Sequence, residues 1–174
     1  MNNSETGNAQ LSFFESQISA PPPKDAYLIV VHDLLPAVEA LKSHSTDIPS
    51  RGCELIAAHV LECTLKALLL HKTKKEEQEK TGLKKALNHH DLKKLWGQAY
   101  KNKCLDIPKE PPEWLRILSA GHGPTLALRY QEAIGSTIER RNIVNARETT
   151  ELISMVEELK DLIEKVKLAL APTT

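Results

Sequence analysis

The 174-residue chain has few aromatic residues and no excess of charge of either sign. Aromatic residues make up 4% of it, while its long aliphatic stretches are rich in leucine, which is typical of helical proteins. Lys+Arg and Asp+Glu both number 23, so the formal net charge is zero. A uniformly basic surface for nucleic acid and a polyanionic tail are therefore not expected, and any basic site must be local.

Cysteines and long apolar runs are also scarce. The three cysteines form no CxxC spacing, and an odd number does not fit a disulfide framework, so we expect a reducing compartment. The first base is Lys24, and no secretion signal precedes it. No apolar run approaches the roughly 20 residues that cross a bilayer. These absences predict a cytoplasmic protein without a membrane partner.

The length is that of one domain with a core of its own. Residues 1–10 are polar, and three consecutive prolines at 21–23 separate a short amphipathic piece from the main body. We therefore predict a flexible N-terminal segment over residues 1–22 and a single helical domain over residues 23–172.

Apolar residues with helical spacing predict the first two helices. The first spans Tyr27–Leu41, and Pro36 either kinks it or starts a new helix after Asp33. The second spans Ser50–Lys72, where Ser50 is a good N-cap and apolar residues cover nearly every side. We expect this second helix to be the buried centre of the fold.

Two shorter helices are predicted in the middle of the chain. Asn88, with an acidic residue three positions later, predicts an N-cap for a helix over His89–Lys101. Two prolines at 111 and 112 open another helix, which Gly121 ends. Residues 121–135 are expected to form a connection over the surface, and such connections often carry functional groups.

The last predicted helix is long. Ser136 and Glu139 fit a capping box, so the helix is expected to run from Thr137 to about Leu170. Its apolar seam would pack on neighbouring helices or on a second chain, and it consists of Leu152, Val156, Leu159, Ile163, Val166 and Leu170. Towards the N-terminus the same face turns polar, which suggests a water-filled pocket or an interface.

Three ionisable residues of the central helix lie along one narrow stripe, namely His59, Glu62 and Lys66. Two interpretations remain open. The stripe is either a solvent-facing surface with an i,i+4 ion pair, or the wall of a cleft that orients a ligand or a partner side chain.

Metal-binding patterns are poorly developed in this sequence. His59 and Cys63 are four residues apart, and His89, His90 and Asp91 are adjacent, but no further ligand follows at a recognisable spacing. We therefore predict neither a metal site nor a cofactor.

Two stretches resemble the signatures of HEPN domains. Ala58–Leu69 contains the pattern A..LE..LKALL, and His90–Leu95 contains the pattern HDL..L. Together with a long last helix, the resemblance covers about residues 25–170. It implies an all-α, up-down helical bundle, commonly dimeric. The family includes metal-independent ribonucleases of toxin–antitoxin and defence systems as well as non-catalytic binding or scaffold members.

The motif of the catalytic HEPN members, R-x(4-6)-H near the start of the last helix, is incomplete here. Arg141 and Asn142 stand where it should begin, but positions 146–148 are Ala, Arg and Glu. Cleavage at a ribose 2′-hydroxyl needs a group that titrates near neutrality, and neither asparagine nor arginine does so. Arg116 and His122 match the spacing elsewhere and provide an alternative catalytic pair.

We therefore predict a non-catalytic HEPN-like module, expected as a homodimer, that contacts RNA or a protein partner through a polar cleft beside the last helix. The expected contact residues are His59, Glu62, Lys66, Arg129, Tyr130, Arg141, Asn142 and Asn145. One alternative is a metal-independent endoribonuclease that uses Arg116 with His122, or Arg141 with His90 or His59. Another is a structural adaptor or dimerisation protein whose apolar seam binds a further helix.

Overall fold

The computed structural model describes residues 23–43, 50–122 and 152–171, and most of these residues are helical. The helices are α1 (Pro23–Ser43), α2 (Arg51–Lys72), α3 (Lys75–Gln78), α4 (Thr81–Asn88), α5 (Leu92–Lys101), α6 (Glu113–His122) and α7 (Met155–Leu170). The described part of the chain contains no β-strand, which confirms the all-α prediction. None of these helices combines the length and the apolar character needed to cross a membrane.

Helix α2 is the centre of the fold, as its sequence predicts. It packs against α1, α5, α6 and α7, and most of its residues from Cys53 to Leu69 are buried. Ser50 is its N-cap, because the Ser50 hydroxyl oxygen accepts a hydrogen bond of 3.2 Å from the backbone N–H of Cys53. The side chains on α2 therefore reach the interior wherever a neighbouring helix covers them.

Helix α1 is longer than its apolar pattern predicts and continues through Pro36. A new helix after Asp33 is therefore excluded. Both Asp33 and Pro36 are exposed, whereas Val31 and Val38 on the opposite face are buried. The proline ring thus points away from the face that α1 packs against α2.

The apolar seam of the last helix packs inside the chain. Five of its six members are buried and Leu170 is half-buried, while α7 contacts α2 and α1. The prediction that this seam packs on neighbouring helices is confirmed. It is accordingly covered by the same chain and offers no free surface for a helix of another protein.

The predicted start of the last helix is wrong. Helix α7 begins at Met155, and the preceding Leu152, Ile153 and Ser154 belong to a 3₁₀ turn and a bend. An unbroken helix from Thr137 to Leu170 is thus excluded by the break at residues 152–154, where the Ser154 hydroxyl donates a hydrogen bond of 2.7 Å to Glu158 and caps no backbone N–H. The capping box at 136–139 and the polar face that precedes the seam lie outside the described residues.

Helix α5 also begins later than predicted. Asn88 is the last residue of α4, and Asp91 is the N-cap of α5, with its Oδ1 accepting a hydrogen bond of 3.1 Å from the backbone N–H of Lys94. Aspartate and asparagine are comparable N-caps, so the residue type alone could not decide between the two positions. His89 and His90 therefore lie in the connection between two helices rather than in a first turn.

Helix α6 buries Trp114, Leu115 and Leu118 and begins just after the two prolines, as predicted, but it does not end where predicted. The helix passes through Gly121 and ends at His122, and both residues are buried. The expected surface connection therefore does not begin at residue 121. Trp114 ties α6 to α7, because its Nε1–H donates a hydrogen bond of 2.6 Å to Glu158.

Candidate functional site: a buried carboxylate with three side-chain partners

Four ionisable side chains meet beside the middle of α2, and we call them the Glu62 cluster: Glu62, Lys66, His90 and His122. The carboxylate of Glu62 is at its centre, with only 3% of the residue exposed. Lys66 Nζ lies 2.8 Å from Glu62 Oε1. His90 Nδ1 lies 3.0 Å from each carboxylate oxygen, and His122 Nε2 lies 2.6 Å from Oε2.

Three different parts of the chain supply this cluster. Lys66 follows Glu62 by one helical turn of α2, His122 is the last residue of α6, and His90 precedes the N-cap of α5. The two later segments are joined, since the backbone N–H of Lys93 donates a hydrogen bond of 3.4 Å to the hydroxyl of Ser119. The start of α5 and the end of α6 thus arrive at α2 together.

The carboxyl group of Glu62 is held in its charged form. Burial raises its pKa, but hydrogen bonds from His122, Lys66 and His90 lower it by more, and the net result is a pKa well below the ordinary value. A buried charge is costly unless it is paired and hydrogen-bonded. The three donors around Glu62 provide that compensation.

The cluster has a closed side and an open side. His122 is fully buried, and its Nδ1 has no hydrogen-bond partner among the described residues. The side chain of His90 is half exposed, and its ring meets that of His122 edge-on, with centroids 6.0 Å apart. A solvent-borne group can therefore reach the cluster at His90, while Glu62 orients both imidazoles from inside.

The stripe predicted on α2 is thus an interior feature. Glu62 and Lys66 form the expected i,i+4 ion pair, but both are buried, so the solvent-facing interpretation is wrong. Lys66 also lies 5.8 Å from the centre of the Tyr27 ring of α1. His59, the third member of the stripe, is half-buried, and its Nε2 lies 3.9 Å from the thiol sulfur of Cys63.

Arg116 and His122, the alternative catalytic pair, have different surroundings, because one is exposed and the other is buried. Arg116 is exposed on α6 and forms an ion pair of 3.0 Å with Glu113, whereas His122 is buried against Glu62. Arg116 is therefore not among the partners of the His122 imidazole. The remaining predicted contact residues lie outside the described residues: Arg129, Tyr130, Arg141, Asn142 and Asn145.

Sequence reasoning missed the way in which the two histidines combine. The sequence relates His90 to its neighbours His89 and Asp91 and to Arg141, and it relates His122 only to Arg116. They stand 28 and 60 residues after Glu62, so no local spacing connects them. A usable signal was Asp91, because assigning it as the N-cap would have placed His90 in a connection near α2.

A second, basic feature lies next to His90. A hollow of about 400 Å³ between α4 and α5 is lined by the basic side chains of Lys85, His89 and Lys94, with Gly82 and Gly97 among the other lining residues. Lys94 pairs with Asp91, whereas Lys85 has no ion-pair partner among the described residues. We call this feature the basic hollow, and it is a local basic site on a chain without net charge.

No protein-family model, curated protein or solved structure matches this chain. The resemblance to HEPN domains therefore stays a prediction that depends on the two sequence patterns in α2 and at the start of α5.

Proposed function

We propose that the chain is a HEPN-like RNA-binding module that holds a phosphate of single-stranded RNA in the basic hollow, next to the Glu62 cluster. The observation that carries the proposal is that three basic residues, Lys85, His89 and Lys94, line one concave surface. Lysine ammonium groups are common partners of phosphate, and they supply most of the affinity of proteins for nucleic acid. The HEPN resemblance agrees with an RNA ligand.

The glycines of the hollow support the same function. Gly97 lies on the exposed face of α5, and a methyl group added there would meet no other atom within 4 Å. Gly82 is likewise exposed at the start of α4. Without side chains at these two positions, a sugar–phosphate backbone has room to approach the lysines.

Fluorescence anisotropy with a labelled, mixed-sequence single-stranded RNA tests this proposal. Lys85→Gln and Lys94→Gln should each weaken binding at low salt and lower the slope of log affinity against log salt by about 0.7. Lys109→Gln is the matched control, because Lys109 is also exposed but lies outside the hollow. The measurements are made in EDTA. Equal affinities for all three variants and the wild type would contradict the proposal.

A second candidate function is a metal-independent ribonuclease, and the two imidazoles on one carboxylate favour it. Glu62 orients His90 and His122, and His90 faces solvent next to the proposed phosphate site. Half-exposed His90, oriented by Glu62, can act as a general base or general acid at a ribose 2′-hydroxyl, while buried His122 helps to hold Glu62 in place. RNA cleavage in EDTA that disappears in His90→Ala but persists in His89→Ala would support this function.

A further inference from the structure

Three of the side chains in the Glu62 cluster are metal-ligand types. Glu62, His90 and His122 each offer one ligand atom, and all of these atoms lie within 4.8 Å of one another. Two of the three residues are buried, and the third is exposed at the surface of the cluster. This combination differs from the acidic clusters that are common on protein surfaces, because it joins two imidazoles to one desolvated carboxylate.

The distances between the candidate ligand atoms are close to those between the ligand atoms of a zinc site. A tetrahedral zinc ion with bonds of about 2.0–2.1 Å holds its ligand atoms roughly 3.3 Å apart. Glu62 Oε2 is 2.6 Å from His122 Nε2 and 3.0 Å from His90 Nδ1, so the carboxylate oxygen must separate from each nitrogen by less than about 1 Å, and the two nitrogens already lie within 4.8 Å of each other. His90 lies in a connection between helices, where such a shift needs no movement of a helix.

Lys66, the fourth member of the Glu62 cluster, pairs with one carboxylate oxygen of Glu62, so the other oxygen is available to a metal ion. Its ammonium donates to Oε1 of Glu62, while both histidines reach Oε2. Lys66 can therefore keep its hydrogen bond while Oε2 binds a cation, although its charge lowers the affinity. Two imidazoles and a carboxylate are also the ligand set of catalytic zinc sites that keep a fourth position for water.

We propose that Glu62, His90 and His122 bind one divalent transition-metal ion of the zinc class, with a fourth coordination position open to solvent beside His90. This inference goes beyond the proposed RNA-binding function and does not depend on it. It differs from the expectation of no metal site, which rests on sequence spacing alone.

Titration of the full-length, tag-free protein with Zn²⁺ after removal of bound metals by EDTA and dialysis tests the site. Isothermal titration calorimetry should show one Zn²⁺ per chain. Co²⁺, as a spectroscopic substitute, should give the intense visible absorption of a four-coordinate site. His90→Ala should weaken Zn²⁺ binding by more than about 100-fold, because even the loss of an outer-shell partner costs 10–100-fold.

His89→Ala is the matched control, since this exposed histidine is adjacent in sequence but outside the ligand group. It should bind Zn²⁺ as the wild type does. Far-UV circular dichroism verifies that each variant is folded, and half-exposed His90 is the ligand whose loss disturbs the core least. Absence of Zn²⁺ binding, or equal affinities for His90→Ala and the wild type, would overturn the proposal.

The RNA-binding proposal and the metal-binding proposal can each be contradicted without affecting the other. RNA binding is measured in EDTA with variants of the basic hollow, and Zn²⁺ binding is measured without RNA on variants of the Glu62 cluster. Loss of RNA affinity in Lys85→Gln leaves the metal proposal untouched, because Lys85 is not a ligand.

Discussion

His122 Nε2, at the end of α6, lies 2.6 Å from the Oε2 atom of Glu62 in the middle of α2. This contact joins the last turn of one helix to the centre of the fold, and it does so with polar groups rather than apolar ones. The hydrogen bonds that Lys66 and His90 add to the same carboxylate make it the most heavily coordinated charge in the described part of the chain.

Lys66→Met should destabilise the protein by about 3 kcal/mol, because removal of one partner from a buried ion pair leaves the other charge poorly compensated. Urea unfolding of the metal-free protein at pH 7 measures the change. Lys167→Met is the matched control, since Lys167 pairs with Glu164 on α7 where both side chains are mostly exposed. A loss of stability of the same size in both variants would contradict a special role of the buried pair.

The lowered pKa of Glu62 predicts a loss of stability in acid. The group is ionised in the folded protein down to a lower pH than in the unfolded chain, whose glutamate pKa is about 4.3. Its contribution is therefore complete above that value and declines as the pH falls towards the lower pKa of the folded state. Urea unfolding in EDTA between pH 7 and pH 3 should show a steeper decline for the wild type than for Glu62→Gln.

The cysteines should be unreactive in the folded protein. Burial, together with the nearby charge of Glu62, raises the pKa of the Cys63 thiol to about 11, and burial also raises the pKa values of Cys53 and Cys104. A chromogenic thiol reagent at pH 7.5 should modify none of the three in native protein and all three in urea. Fast reaction of one native thiol would show that its burial is incomplete.

Leu159→Ala should cost about 2–5 kcal/mol of folding stability, because Leu159 is completely buried where α7 packs on the core. Leu168→Ala on the same helix is the control, since Leu168 is 76% exposed. Thermal and urea unfolding compare the two. An oligomer that dissociates in Leu159→Ala with no change of chain stability would instead favour the adaptor alternative.

The helical architecture could be predicted because its signals are local. The spacing of leucines places α2 and the seam of α7 correctly, and Ser50 caps α2 as its position suggests. Helix boundaries were harder to predict where two good capping residues compete, as Asn88 and Asp91 do. The start of α7 was hard to predict for a different reason. The apolar pattern continues from Leu152 to Val156 across Ser154, so it does not show that the helix begins at Met155.

The candidate site could be predicted only in part. Glu62 and Lys66 were paired by their i,i+4 spacing, but their burial depends on the helices that cover α2, which a stripe on one helix does not reveal. His90 and His122 join them through tertiary packing, and no sequence periodicity relates these four positions. The basic hollow was missed for the same reason, since α4 and α5 build it together.

The members of the Glu62 cluster are far apart in the sequence, and this separation affects how the protein folds. Bringing His122 to Glu62 closes a loop of 60 residues, and such closure costs conformational entropy that grows with the logarithm of loop length. Before that loop closes, α2 alone gives the Glu62 carboxylate only one of its three partners, Lys66. We therefore expect the cluster to assemble late in folding, and an ion or ligand that binds there would favour the fully folded chain over states in which the cluster is incomplete.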